Sequence, residues 1–219
     1  MQDKSGQVDE AMPVIEPTVF IVDDDSATRD SLRCLVESVG LKAQGYGNAR
    51  EFLEGYDSEL PGCLVLDVRM PGMSGLELQR QLAPDPKHLP VIFITGYADI
   101  PMVVQAMKDG AVGFLEKPFS DQELLDCIQR AVGQDAEQRR AETYRAELAQ
   151  RVATLTPREH EVMGMVVDGN GSKEIARRLG LSPKTVEIHR AHLMEKLQAR
   201  SIATLVRYVL IVTKGAKAD

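Results

Sequence analysis

Residues 18–32 read TVFIVDDDSATRDSL, an apolar run, three consecutive acids and the start of an amphipathic segment. The apolar run predicts a buried strand, and Leu32, Leu35, Val36 and Val39 recur at helical spacing after it. The same alternation continues outward. CLVLD follows, then Leu76, Leu78 and Leu82, then VIFIT. Continuous Val/Ile/Leu runs mark strands covered on both faces, and their alternation with helices implies a parallel sheet with helices on each side. Five strands are predicted, at 18–22, 41–46, 63–67, 91–95 and 113–116. Five helices are expected near 27–39, 48–56, 75–82, 99–109 and 121–132.

At 219 residues, the chain fits two domains rather than one. A hydrophobic fraction of 43% and a charged fraction of 27% exclude disordered and fibrous classes. No apolar run is long enough to span a bilayer, and MQDKSGQVDE lacks the order of a signal peptide, so a cytoplasmic protein is expected. Cys34, Cys63 and Cys127 form no metal-binding spacing and read as buried core thiols.

Charge divides the chain. From Thr154 onward there are 11 Lys and Arg against 7 Asp and Glu, a net of +4, which leaves 15 against 26, a net of −11, before it. An acidic front joined to a basic back argues for nucleic-acid binding by the second part alone. It also favours masking of the basic part by the acidic one, with dimerisation alone as the other possible coupling.

Residues 1–13 read as a disordered leader. Residues 14–133 make the first domain and 134–153 a charged, helical linker. Tyr144, Leu148 and Val152 recur within it at four-residue spacing; a solvated spacer is the simpler reading and a coiled-coil seam the alternative. The second domain, 154–219, opens on Thr156-Pro157-Arg158-Glu159, a capping-box pattern. Ser172 then precedes KEIARRL, Gly180 closes it, and Ser182-Pro183 caps a helix through about Leu197. This is a helix-turn-helix layout, followed by the apolar helix SIATLVRYVLIV. The fold class expected is an α/β unit with a five-stranded parallel sheet, plus an all-α unit of four helices.

In such a sheet, ligands bind beyond the carboxyl ends of the strands. Asp23, Asp24 and Asp25 follow the first strand, Asp67 ends the third, Thr95 the fourth, and Lys117-Pro118 follows the fifth. Adjacent carboxylates suit a hard divalent ion such as Mg2+, and a carboxylate beside it can act as a nucleophile toward phosphorus. A lysine and a hydroxyl are suited to holding phosphoryl oxygens.

TVFIVDDDSATRDSL, CLVLDVRMPGMSGLEL, PVIFITGYAD and AVGFLEKPF together resemble the receiver domains of two-component response regulators. The resemblance implies a flavodoxin-like (βα)5 fold with strand order 2-1-3-4-5, magnesium dependence and phosphoryl transfer from a histidine kinase. It matches Asp23 and Asp24 to metal-binding acids, Asp67 to the phospho-acceptor and the carbonyl of Arg69 to a backbone metal ligand. It matches Thr95 to the switch hydroxyl, Phe114 to the switch aromatic and Lys117 to the pairing amine, before an expected cis proline. An aspartyl-phosphate phosphohydrolase would want a second acid where this chain has Arg69. No separate enzyme is therefore expected, beyond the receiver's action on itself.

In the second domain, Val186, Leu193 and Leu197 share one helical face, while Lys184, Ile188, Ala191 and Glu195 lie opposite with Glu187 on the flank. Such a free face fits a major groove, with Lys173, Arg177, Arg178, Arg190 and Lys196 supplying phosphate-contacting charge. LTPREHEVMGMVVDGNGSKEIARRLGLSPKTVEIHRAHLMEKLQARS resembles the LuxR-type helix-turn-helix, and its union with the receiver resembles the NarL/FixJ family. That resemblance matches Lys184, Thr185, Glu187, Ile188 and Ala191 to DNA contacts and the last helix to dimerisation. It implies double-stranded DNA, RNA polymerase and a second copy of the chain as partners, and transcriptional activation. Glu187 is suited to rejecting wrong sites.

Overall fold

The computed structural model describes residues 15–84 and 87–215. The expected leader, 1–13, lies outside them. The chain divides into two compact units, Met1–Arg139 and Arg140–Asp219.

In the first unit, β1 (Thr18–Val22), β2 (Lys42–Tyr46), β3 (Gly62–Asp67), β4 (Val91–Thr95) and β5 (Gly113–Glu116) form one parallel sheet in the order β2-β1-β3-β4-β5. Helices α1 (Ser26–Ser38), α2 (Ala49–Gly55), α3 (Gly75–Leu82), α4 (Ile100–Lys108) and α5 (Asp121–Ala153) connect and follow the strands. Alternate residues of each strand face opposite ways. Phe20 and Val22 join Phe52, Leu78 and Ala106 on one face, whereas Val19 and Ile21 join Leu32, Val36, Leu124 and Ile128 on the other. The fold is the flavodoxin-like doubly wound sheet. An edge position leaves β2 largely exposed, whereas the central strands β1, β3 and β4 are buried along their whole length.

Three expectations are corrected, the third being the linker. Cys34 is exposed, because α1 turns it away from Leu32 and Val36; only Cys63 and Cys127 are buried. The helix expected to stop near Val132 continues through Gly133 to Ala153. One glycine costs only about 1 kcal/mol in a helix interior, and the flanking residues favour helix.

The linker is not a simple solvated spacer. Near its start Asp135 is 3% exposed, accepts from the Gly62 N–H at 2.9 Å and pairs with Arg139 at 2.9 Å. Arg139 in turn donates to the carbonyls of Ser58 and Leu60 at 3.0 and 2.9 Å. A side chain at Gly62 would meet Thr18 O, so the close approach of strands there requires glycine. Farther along, Leu148 is buried, Val152 packs on the second unit's core and the Tyr144 ring meets that of Tyr208 edge-on. The four-residue spacing thus marks packing within one chain.

In the second unit, α6 (Pro157–Val167), α7 (Ser172–Leu179), α8 (Pro183–Lys196) and α9 (Ile202–Gly215) follow α5. Thr156 and Glu159 form the expected reciprocal capping box. Gly180 ends α7 in the left-handed conformation, φ +65°, that glycine adopts without a Cβ penalty. Val162, Val166, Ile175, Val186, Leu193, Leu197 and Leu205 make the core. Gly171 is the N-cap of α7 and Ser172 its first residue. Among the described residues, no helix is long and apolar enough to cross a membrane.

Candidate functional site

Strand register builds the acidic pocket. Val22 of β1 pairs with Leu66 of β3, so the next residues, Asp23 and Asp67, leave neighbouring strands at one level. Asp67 also pairs with Ile94, and Thr95 with Glu116, which brings Thr95 and Lys117 to the same rim. Carboxylate oxygens of Asp23, Asp24 and Asp67 lie within 4.8 Å of one another. Lys117 Nζ donates to Asp23 at 2.8 Å and lies 3.8 Å from Asp67. The Lys117-Pro118 bond is cis, as expected.

Asp23, Asp67 and Thr95 are buried, and Asp24 is exposed. Burial pushes the Asp67 carboxyl up to about 6; the Lys117 ammonium opposes this, and the Asp23 and Asp24 carboxylates add to it. Asp25 stands apart from the trio as the N-cap of α1. The Asp23 backbone is fixed by Arg29, whose guanidinium donates to the Asp23 carbonyl at 2.7 Å. Three clustered carboxylates without sulfur or imidazole suit Mg2+ rather than zinc, so the donor set fits the expected ion.

Thr95 Oγ1 bonds the backbone of Tyr97, accepting from its N–H at 3.3 Å and donating to its carbonyl at 3.2 Å. Phe114 is half-buried, tilted against Phe93 at 6.1 Å between ring centroids. The Arg69 guanidinium stacks over the Tyr97 ring, 4.7 Å from its centroid.

Gly75 is a site residue that sequence reasoning missed. A Cβ there would lie 2.3 Å from the Asp67 carbonyl oxygen, so glycine lets α3 begin directly against the pocket strand. Its position eight residues after Asp67, beside the helix-capping Ser74, was the available clue.

In the second unit, Val186, Leu193 and Leu197 are buried, while Lys184, Glu187, Ile188, Ala191 and Glu195 are exposed. The two-faced helix is therefore as expected. The basic residues divide. Lys173 is exposed. Arg190 is half-buried and reaches Ser172 Oγ at 2.5 Å, Arg177 and Arg178 both engage Glu174, and Lys196 is held by Glu159 at 2.7 Å. Thr185 contributes its backbone N–H to the Ser182 cap at 3.0 Å.

Residues 19–129 match the response regulator receiver domain, and residues 153–209 match the bacterial regulatory proteins of the luxR family. The chain is 50% identical to Nodulation protein W of Bradyrhizobium diazoefficiens over 86% of this chain and 83% of that protein. It is 45% identical to the transcriptional regulatory protein FixJ of Azorhizobium caulinodans over 88% of this chain and 92% of that one. Among solved structures, response regulator StyR is 47% identical with a TM-score of 0.78, the match covering 89% of this chain and 98% of that chain. The chain therefore belongs to the NarL/FixJ family of response regulators, with a receiver domain and a LuxR-type DNA-binding domain.

Proposed function

We propose that this protein is a transcription factor controlled by phosphorylation of Asp67. The observation that carries this reading is the convergence of Asp23, Asp24, Asp67 and Lys117 on one rim. A carboxylate oxygen of Asp67 attacks the phosphorus of a phosphohistidine on a sensor kinase. The phosphorus–nitrogen bond breaks, and the departing imidazole keeps the electron pair and takes up a proton.

Asp23, Asp24, Asp67 and the carbonyl of Arg69 are the residues to hold Mg2+, which when bound neutralises the acids and the phosphoryl oxygens. Lys117 holds a phosphoryl oxygen as an ammonium donor. Thr95 exchanges its Tyr97 backbone bonds for the phosphoryl group, and the Phe114 ring follows into the vacated space. A local charge event thereby becomes a packing change beside α4, whose Ile100, Val104 and Met107 are exposed. Two copies associate through that face, so that two α8 helices bind two half-sites of double-stranded DNA. Lys173, Lys184, Thr185, Glu187, Ile188, Arg190 and Ala191 are assigned to the DNA interface, and recruitment of RNA polymerase makes the protein an activator. A cytoplasmic location goes with these partners. The receiver's chemistry acts on its own aspartate only, including hydrolysis of the acyl phosphate.

The test is incubation of the full chain with acetyl phosphate and magnesium, read by intact mass. The wild type gains one phosphoryl group and Asp67→Asn, nearly isosteric, gains none. Wild-type incorporation in Asp67→Asn overturns the assignment.

A further inference from the structure

Glu159 is a buried acid inside a basic domain. It is 3% exposed, and its Oε2 accepts from the Thr156 N–H at 2.8 Å as the returning half of the α6 capping box. The same oxygen accepts from Lys196 Nζ at 2.7 Å. Lys196 spends a second hydrogen on the Thr154 carbonyl at 3.3 Å, and His192 Nδ1 stands 4.0 Å from the other Glu159 oxygen. Both facing residues come from α8. One carboxylate therefore joins the start of α6 to the last turn of the helix that presents Lys184, Ile188 and Ala191.

We propose that Lys196 is a positioning residue for DNA recognition: gripped by Glu159, it sets the angle of α8 and makes no phosphate contact of its own. The inference rests on the reading that α8 enters the groove. The apolar seat of α8, Val186, Leu193 and Leu197, holds the helix to its core but resists pivoting poorly, because dispersion contacts have little directionality. A charge-assisted hydrogen bond at its end supplies direction. Lys184 lies twelve residues away, ~18 Å along a helix at 1.5 Å per residue. A small pivot at Lys196 is therefore magnified where the base-reading residues stand. The strong lowering of the Glu159 carboxyl, to about 2, has the Lys196 bond as its first cause.

The test uses the full chain treated with acetyl phosphate, a duplex that the wild type selects from a random-sequence library, and a shuffled duplex of the same composition. Affinities for wild type, Glu159→Gln, Lys196→Met, Lys196→Arg and the double variant Glu159→Gln/Lys196→Met are measured across a salt series. Glutamine is itself a capping-box residue, so Glu159→Gln removes the grip and keeps the cap; a melting curve verifies the fold.

The proposal expects each single loss to weaken binding to the selected duplex about tenfold, and the double variant to be no weaker than either, as for two members of one interaction. The salt slope stays at the wild-type value, binding to the shuffled duplex is unchanged, and Lys196→Arg retains most of the affinity. A slope shallower by about 0.9 in Lys196→Met, the loss of one phosphate contact, overturns the proposal. So do additive losses, or tighter binding by Glu159→Gln, as expected of an acid that merely repels DNA. Failure of the wild type to select any sequence would instead remove the DNA-reading assignment of α8 beneath it.

Discussion

Lys117 donates a hydrogen bond to the buried carboxylate of Asp23 at 2.8 Å. It is farther, 3.8 Å, from Asp67. The ammonium thus occupies one of the acids expected to hold magnesium, and the two cations compete for its charge. Lys117→Met is expected to bind Mg2+ about threefold to tenfold more tightly, since an ammonium a few ångströms away opposes a divalent cation by about 1 kcal/mol or more. A magnesium titration followed by NMR checks this. Weaker binding in the variant would show that Lys117 organises the acids rather than competing for them.

Asp24 is the exposed member of the trio. Asp24→Ala is expected to weaken magnesium binding by about tenfold or more, because one of three anionic donors is removed. Phosphorylation by acetyl phosphate should fall in parallel at limiting magnesium. An unchanged magnesium titration would exclude Asp24 as a ligand.

Gly75→Ala should cost about 1–3 kcal/mol of receiver stability, since its Cβ meets backbone, which yields less readily than a side chain. It should also slow phosphorylation by displacing the Asp67 carbonyl. Urea unfolding and the initial rate with acetyl phosphate measure the two effects. Wild-type values for both would show that α3 shifts freely.

Asp135 and Arg139 form a buried pair with side-chain exposures of 4% and 18%. Arg139→Met leaves Asp135 without its cation and is expected to destabilise the receiver by about 3–5 kcal/mol. The double variant Asp135→Asn/Arg139→Met should lose less than Arg139→Met alone, because the orphaned charge is gone. Urea unfolding of the three proteins decides it, and a double variant weaker than the single would reject the account.

The Glu159 carboxyl, ordinarily near 4.5, is held down to about 2 by the Lys196 hydrogen bond first and the Thr156 cap after it; burial opposes both. A depressed folded value means that the carboxylate contributes stability in full above about pH 4.5. That contribution fades as pH falls and is gone below about 2. Wild type should therefore exceed Glu159→Gln in protection of the α6 amides above pH 4.5, with the difference closing toward pH 2. Hydrogen exchange across that range measures it, and a gap independent of pH would assign the effect to something other than ionisation.

The sequence by itself determined the sheet, the two-faced helix α8 and which acids, hydroxyl and amine share one rim. Continuous runs such as VIFIT must be buried on both faces, and polar residues at their carboxyl ends then have one rim to occupy. The two faces of α8 were equally legible, because Val186, Leu193 and Leu197 share a face under a 3.6-residue period. Only the tertiary structure decided which charges are free. Lys196, Arg177 and Arg178 look alike in the sequence as basic residues near a helix-turn-helix, yet all three engage acids. It likewise decided that Asp135 and Arg139, read as solvated linker, belong to the receiver, and that Gly75 must lack a side chain. Periodicity reports a residue's face on its own element, whereas a charge's partner and a glycine's neighbour come from other elements, through contacts that no local pattern encodes.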